Sequence, residues 1–599
     1  FSYHEPWWPA YKTLADYCGR LSVVMSSGRQ ENNILVLEPT TTAWLYYQRT
    51  QQPKILDSLG VSFQNLVNQL EAWQVEYDLG SEEVLRRIAR VEKGKLVVGP
   101  CQYELIILPA LMENVDSSTA DLLQAYSEAK GKVLAWSTPE YIDGQKNDRL
   151  TTCARKHSDS WIPHQKSAGV EEIFALQPPV LSFEDVKNGE MLFHHRRELD
   201  DAEMIFLVNS SDSVTCTGSL SLAKQKIEVW DPFTGSNQPY PVQAMAGRGK
   251  VTFSLPPAGS LLLCARSGSS LKIKTQPQRQ SVIAPVDPLQ IQAEDLNVLT
   301  MDYCDLYVKG KMDKELYFYN AQLKTFKAYG LEQNPWDSAV QFKTNILDKD
   351  KFGPNSGFEA VYWFTTAPGV DLASLELVVE RPQLVQVRIN DQLMEPAKGR
   401  WWLDKAFGVY PIGETTVTGK NKISLTASQF TIHTELEAIY LRGHFSLKVE
   451  DKGFTLIPEH SLQLGAWKDQ GAPFYSYGVT YSHTYDLSSD KQARYIIQLG
   501  RWSGTFSQVM VNGQNAGIIA FQPAELDISR FLIPGANTVQ VIVFGSLKNL
   551  LGPHHNNPGQ GSAWPGMFQK GWSKGYPSGA EYSTLAYGLF EDFSLVTLY

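Results

Sequence analysis

The stretch Val385-Gln-Val-Arg-Ile-Asn390-Asp-Gln, followed by Gly419-Lys-Asn421-Lys-Ile-Ser-Leu425, decides how the second half of the chain is read. The same pattern returns as Val509-Met-Val-Asn512-Gly-Gln followed by Gly535-Ala-Asn537-Thr-Val-Gln-Val541. Val385, Val387 and Ile389 alternate with Gln386 and Arg388, the period of a strand with one buried face. Asn390-Asp391 and Asn512-Gly513 tolerate the positive φ of tight hairpin turns, so each pair marks a reversal into a partner strand. Gly-x-Asn then opens a further strand. Repetition at one domain's spacing predicts tandem antiparallel sandwiches rather than a solenoid, whose repeats recur every ~20–50 residues.

Outward from these repeats, β signals dominate from about residue 180 to the end. Met204-Ile-Phe-Leu-Val208 stops at Asn209-Ser-Ser, Ile227-Glu-Val-Trp230 runs into the Asp231-Pro-Phe-Thr-Gly235 turn, and Leu261-Leu-Leu-Cys264 reads as a final strand. The polar segment 266–281 reads as a linker. Between residues 31 and 178, short apolar strands alternate with amphipathic helices. Ile34-Leu-Val-Leu37, Leu96-Val-Val98, Leu105-Ile-Ile-Leu108 and Val133-Leu-Ala-Trp136 predict a parallel sheet, and Phe63, Leu66, Val67, Leu70 and Trp73 form one face of a covering helix. Before residue 31, Pro9 is placed to open a helix in which Leu14, Tyr17, Leu21 and Met25 share an apolar face that needs a partner. The predicted architecture is multidomain α/β plus all-β: a terminal helix (1–30), a flavodoxin-like α/β domain (31–178), then three sandwiches of jelly-roll or galactose-binding type (179–268, 283–450 and 451–599).

At 599 residues the chain exceeds a single core, and its net charge of −10 lacks the basic footprint that neutralises phosphates, which disfavours nucleic acid. No apolar run reaches the ~20 residues of a membrane span. Cys18, Cys101, Cys153, Cys216, Cys264 and Cys304 are scattered without a Cys-x-x-Cys pair, so no zinc site or disulfide framework is read. The 15 Trp and 27 Tyr suit both core packing and contact with sugar faces. The chain opens Phe1-Ser-Tyr-His-Glu-Pro-Trp-Trp8 without an initiator Met or a signal peptide, which reads as a start in mid-protein.

Taken together, Tyr3-His-Glu-Pro-Trp-Trp8 with its helix, Asn33-Ile-Leu-Val-Leu-Glu-Pro39, Glu228-Val-Trp-Asp-Pro-Phe-Thr-Gly235 and the doubled Asn hairpins resemble the C-terminal portion of large bacterial glycoside hydrolases. The nearest likeness is to glycoside hydrolase family 106, the α-L-rhamnosidases, with tail domains similar to the family 2 sugar-binding domain. The resemblance implies that residues 1–30 are the end of a (β/α)8 barrel whose remainder lies upstream, that the partner is plant or bacterial polysaccharide, and that the protein is periplasmic or secreted. It also implies calcium near the barrel site, for which no ligand is named in this chain. The competing class is a non-catalytic carbohydrate-binding or structural scaffold.

Glycoside hydrolysis requires two carboxylates across the scissile bond. Barrel sites lie at strand C-termini, so Glu5 is the candidate catalytic carboxylate, with His4 and Trp7 facing substrate; the alternative is a loop carboxylate beside packed tryptophans. The long loop Leu550-Leu-Gly-Pro-His-His-Asn-Asn-Pro558 offers a second substrate-facing group. His554 and His555 diverge on an extended backbone, which argues against joint metal ligation, whereas an imidazole with Asn556 and Trp564 suits hydrogen bonding and stacking on a sugar; otherwise the loop covers a sheet edge. Glu38 ends the first α/β strand without a Gly-rich phosphate turn, so capping or packing is its expected role. Cys101 raises an amidotransferase reading, weakened by the missing Gly after it. Of Trp401 and Trp402, at most one reaches the core.

Overall fold

A computed structural model of the protein describes residues 3–50, 53–165, 169–245, 247–269, 280–337, 340–487, 493–555, 564–572 and 575–598. The chain divides into two compact units, one of residues 12–276 with 521–523, the other of residues 1–11, 277–520 and 524–599. Most of the linker read over 266–281 lies outside the described residues, as does Asn556.

In the first unit, Trp161–Pro163, Lys132–Ala135, Leu105–Leu108, Ile34–Leu37 and Asp78–Gly80 lie side by side in that order, every neighbouring pair parallel. Numbered along the chain, these strands take the 2-1-3-4-5 order of flavodoxin-like sheets. Alternate side chains serve two separate cores, as the pleat requires. Leu35, Leu37, Ile106, Leu108 and Val133 meet Leu123, Tyr126 and Leu150 on one face, while Ile34, Val36, Leu105, Ile107 and Leu134 meet Leu66, Leu70 and Ile173 on the other. The apolar runs are therefore strands buried on both sides.

Two details differ from the sequence reading. Lys95–Val98 is not in the parallel sheet but in a small antiparallel one between Ala89–Glu92 and Cys101–Tyr103. Lys93 and Gly94, at φ 50° and 77°, turn the chain straight back, leaving no crossover for a parallel pairing. The edge strands Asp78–Gly80 and Trp161–Pro163 are too short to show a period.

The same unit holds an antiparallel sandwich. Its sheets run in the order Ser182–Lys187, Cys216–Leu222, Arg248–Leu255, Gln243–Met245 and Leu192–Glu198, Ala202–Asn209, Ser260–Arg266, Lys226–Trp230, Asn237–Pro239. Ile205, Leu207, Leu220, Val251, Phe253 and Leu263 fill the space between them. The helix Tyr11–Ser26 sets Leu21, Val24 and Met25 against Met204, Leu262 and Cys264 on the sandwich's outer face. That face takes the C-terminal half of the apolar stripe, while Leu14 at the other end is 46% exposed.

The second unit contains two further cores. One lies between the sheet Asn297–Met301, Ile439–Gly443, Glu376–Glu380, Asp404–Pro411, Trp401–Trp402 and the larger sheet built around Phe358–Thr366 and Gly419–Ala427. The other lies between Gln290–Ala293, Gly478–Leu487, Gly535–Phe544, Phe506–Val511, Gln514–Ile519 and Gln280–Ile283, Ser594–Leu598, Arg494–Gln498, Glu525–Asp527. Pairing crosses the boundary expected at 450: residues 280–293 join the last sandwich, and Phe454–Ile457 pairs with Phe358–Thr366 in the earlier one. Such long-range partners are set by tertiary closure, which local alternation does not encode.

The repeated asparagines form the same clasp twice. Asn390 Nδ2 donates to Asn421 Oδ1 (2.8 Å), and Asn512 Nδ2 to Asn537 Oδ1 (2.9 Å). Asn421 Nδ2 donates to the Val417 and Gly419 carbonyls, and Asn537 Nδ2 to those of Ile533 and Gly535. Each hairpin turn is thereby tied to the entry of the strand beside it.

Candidate functional site

A cleft of about 720 Å³ in the second unit brings together the opening segment, one sheet end and the chain around residue 550; its lining includes His4, Glu5, Glu380, Arg381, Asp404 and Lys548. The opening segment is fixed locally: Trp8 N–H donates to the Glu5 carbonyl (3.0 Å) and Ala10 N–H to that of Trp7 (2.9 Å), winding into the short turn Trp8–Ala10. This turn presents His4 and Glu5 to the cleft. Glu5 Oε2 accepts the Leu547 N–H at 3.1 Å, and His4 Nε2 lies 2.6 Å from Asp404 Oδ2.

Asp404 reaches this position through a bulge. The pairing of Trp401–Trp402 with Asp404–Pro411 shifts register there, and Leu403 takes a φ of 65°. The Ala406 N–H, and next His4, hold the Asp404 carboxyl below its ordinary range. The bulge also separates the two tryptophans: Trp401 is 51% exposed, whereas Trp402 is 7% exposed against Tyr440 and under Arg442.

The sheet end beside Asp404 concentrates carboxylates. Arg381 Nε lies 3.6 Å from Glu380, its Nη1 lies 3.7 Å from Glu435, and the same Nη1 donates to the His433 carbonyl at 3.0 Å. Burial raises the carboxyls of Glu380 and Glu435, with Arg381 opposing it in both. Burial together with those two neighbours pushes Glu437 up to about 8. Across the cleft, Lys548 donates to the carbonyls of Pro553 (2.8 Å) and Ser583 (2.7 Å), and burial lowers its ammonium to about 8. Phe407 and Phe568 add half-buried rings to the wall.

Of the residues expected from sequence, His4 and Glu5 are brought together here, and Trp7 stands outside the lining with its ring 6.0 Å from Tyr11. His554 and His555 are 4% and 2% exposed, which corrects the expectation that an imidazole of this loop faces a sugar. His555 Nε2 lies 2.8 Å from Asp302 Oδ2, Tyr582 donates to Asp302 Oδ1 at 2.6 Å, and both imidazoles pack against the Tyr582 ring. An apolar, tyrosine-rich interior has claimed them. Burial lowers His554 to about 4, so it is neutral there. Trp564 is 54% exposed but does not line the cleft; it precedes the short helix Pro565–Phe568 whose last residue does.

Cys101 lines a different, polar cleft with Arg29, Lys95 and Arg197, and no histidine is among the lining residues to act as its base. Glu38 is engaged through its backbone, its N–H donating to Gly80. Among the described residues no group of three or more His, Cys, Asp or Glu is placed to hold a metal ion. No described helix is long and apolar enough to cross a membrane. Sequence reasoning missed Glu380, Arg381, Asp404 and Lys548. The dense Trp401-Trp402-Leu403-Asp404 turn was the available signal, while Lys548 carried none.

No family model matches the chain, and no curated protein matches it. Among solved structures, the fold is similar to that of a rhamnosidase from Novosphingobium sp. PP1Y, at 14% identity over 99% of this chain and 41% of that one, with a TM-score of 0.50. A β-galactosidase from Bacillus circulans sp. alkalophilus is matched over 42% of this chain and 44% of that one (10% identity, TM-score 0.27). The α-L-rhamnosidase of Streptomyces avermitilis, solved with L-rhamnose, is matched over 57% and 36% (10% identity, TM-score 0.19). These last two likenesses are too loose to argue from. The chain spans about two fifths of the length of the Novosphingobium enzyme, and over that length it shares the fold of a rhamnosidase.

Proposed function

We propose that this chain is the C-terminal part of a glycoside hydrolase of α-L-rhamnosidase type, acting on polysaccharide or oligosaccharide outside the cytoplasm and supplying its accessory and sugar-binding domains. The observation that carries this reading is the likeness in fold to a rhamnosidase along 99% of the chain. The cleft supports it, because Glu5, Glu380 and Asp404 are the group type that glycosidic chemistry and sugar hydroxyls both use. In this reading residues 1–30 close a barrel, Glu5 faces the substrate, and most of the catalytic machinery comes from upstream sequence.

The test compares the 599-residue chain with a form extended upstream of Phe1, both assayed on aryl α-L-rhamnosides and a panel of other aryl glycosides. The extended form is expected to hydrolyse a member of the panel and the present chain none. Turnover by the present chain would refute the division of labour, and inactivity of both forms on every glycoside would refute the glycosidase reading.

A further inference from the structure

Resting on the saccharide reading of the cleft, we infer that its wall around Leu547 is a subsite for a neutral sugar presenting two adjacent hydroxyls, held between Glu5 and Lys548, and that it discriminates against uronates. Leu547 donates its backbone N–H to Glu5 Oε2, which fixes the carboxylate and leaves Oε1 without a protein partner among the described residues. The next residue, Lys548, commits two donors to the Pro553 and Ser583 carbonyls and retains a third. A fixed acceptor and a fixed donor lining one cleft suit a diol: one hydroxyl donates to the carboxylate and its neighbour accepts from the ammonium. Because both groups are held by backbone atoms, little side-chain freedom is lost on binding. Phe407 and Phe568 provide apolar surface suited to the C–H face of a pyranose.

The remaining charges set the discrimination. A uronate carboxylate is best met by a free guanidinium fork, but Arg381 already serves the His433 carbonyl and lies between Glu380 and Glu435. His4 is engaged by Asp404. An anionic sugar at this wall would meet Glu5 and Glu380 as like charges with only the Lys548 ammonium to offset them, and that ammonium is already shared between two carbonyls, so the balance disfavours it.

Isothermal titration of the full chain tests this, with galactotriose and rhamnobiose as neutral probes and galacturonotriose as the anionic one. At least one neutral probe is expected to bind, galacturonotriose to bind about tenfold more weakly, and Glu5→Gln and Lys548→Met each to weaken the neutral probe about tenfold, the equivalent of one hydrogen bond to a charged group. Lys405→Ala, at an exposed position outside the lining, is expected to leave binding unchanged. Lys548→Met leaves two carbonyls unpaired, so its melting is measured in parallel; if it does not fold, the half-exposed Glu5→Gln decides alone. Tighter binding of galacturonotriose overturns the neutral-sugar assignment while leaving a saccharide cleft standing. Unchanged affinity in Glu5→Gln, or no binding of any probe, overturns the subsite itself. The hydrolysis assay on the extended chain reads the glycosidase proposal independently of all these outcomes.

Discussion

Replacing Asn537 with alanine probes the clasp that holds the last sandwich's hairpin in register. Asn537 is fully buried. Its Oδ1 accepts from Ile533 N–H and Asn512 Nδ2, both at 2.9 Å, and its Nδ2 donates to the carbonyls of Ile533 (2.7 Å) and Gly535 (2.9 Å). At about 1 kcal/mol net for each of these bonds, and with partners left unsatisfied away from water, Asn537→Ala is expected to destabilise the sheet by about 3–5 kcal/mol. A multidomain chain does not unfold in one step, so a single melting temperature does not give the free energy of this one sheet. Hydrogen exchange of peptides covering Phe506–Val511 and Gly535–Phe544 measures the local opening free energy instead. Peptides from Ile34–Leu37, in the other compact unit, are expected to keep their protection. Asn421→Ala is expected to reproduce the effect in the earlier sandwich, where Asn390, Val417 and Gly419 play the corresponding parts. A loss below about 1 kcal/mol at position 537 would refute the argument, since it would mean that the turn and the adjoining strand keep their register without the side-chain bonds.

Trp402→Ala is expected to destabilise by about 3–5 kcal/mol and Trp401→Ala by less than about 1 kcal/mol, measured by hydrogen exchange of peptides covering Glu376–Glu380 and Ile439–Gly443; equal effects would contradict the burial contrast between them. Glu437 has its carboxyl raised from 4.5 to about 8, so the stability it contributes in the protonated state is present below pH 4.5 and is lost as pH rises toward 8. Glu437→Gln is therefore expected to match the parent at pH 4.5 and to melt higher than it at pH 8, and a difference independent of pH would count against this. His554 is lowered from 6.5 to about 4, so its contribution is present above pH 6.5 and is lost as pH falls toward 4. His554→Gln, which does not take up that proton, is expected to flatten the acid side of the melting profile; an unchanged slope would show that another group titrates.

Much of the architecture was legible because its signals are local. Continuous apolar tetrads such as Ile34–Leu37 and Leu105–Leu108 are what a strand buried on both faces must look like, and alternation in Val385–Ile389 is what one buried face produces. The candidate site was legible only where a short segment carried several polar and aromatic groups together, as in Tyr3–Trp8. Glu380, Asp404 and Lys548 stand 375 or more residues beyond Glu5 and look like ordinary strand-end charges. Only the pairing of Glu376–Glu380 with Asp404–Pro411, and the bulge at Leu403, places two of them beside it. His554 and His555 misled for the opposite reason: a polar loop reads as exposed, and nothing nearby announces that Asp302 and Tyr582 will enclose it.

By itself, then, the sequence determined the periods, the turns and the paired asparagines, because φ preferences, side-chain alternation and Asn chemistry act over a few residues. The tertiary structure decided which strands close each sandwich, which polar groups are buried, and which carboxylates share a cleft. Those outcomes depend on contacts between residues hundreds of positions apart, and desolvation and charge proximity take effect only once the chain has closed around them.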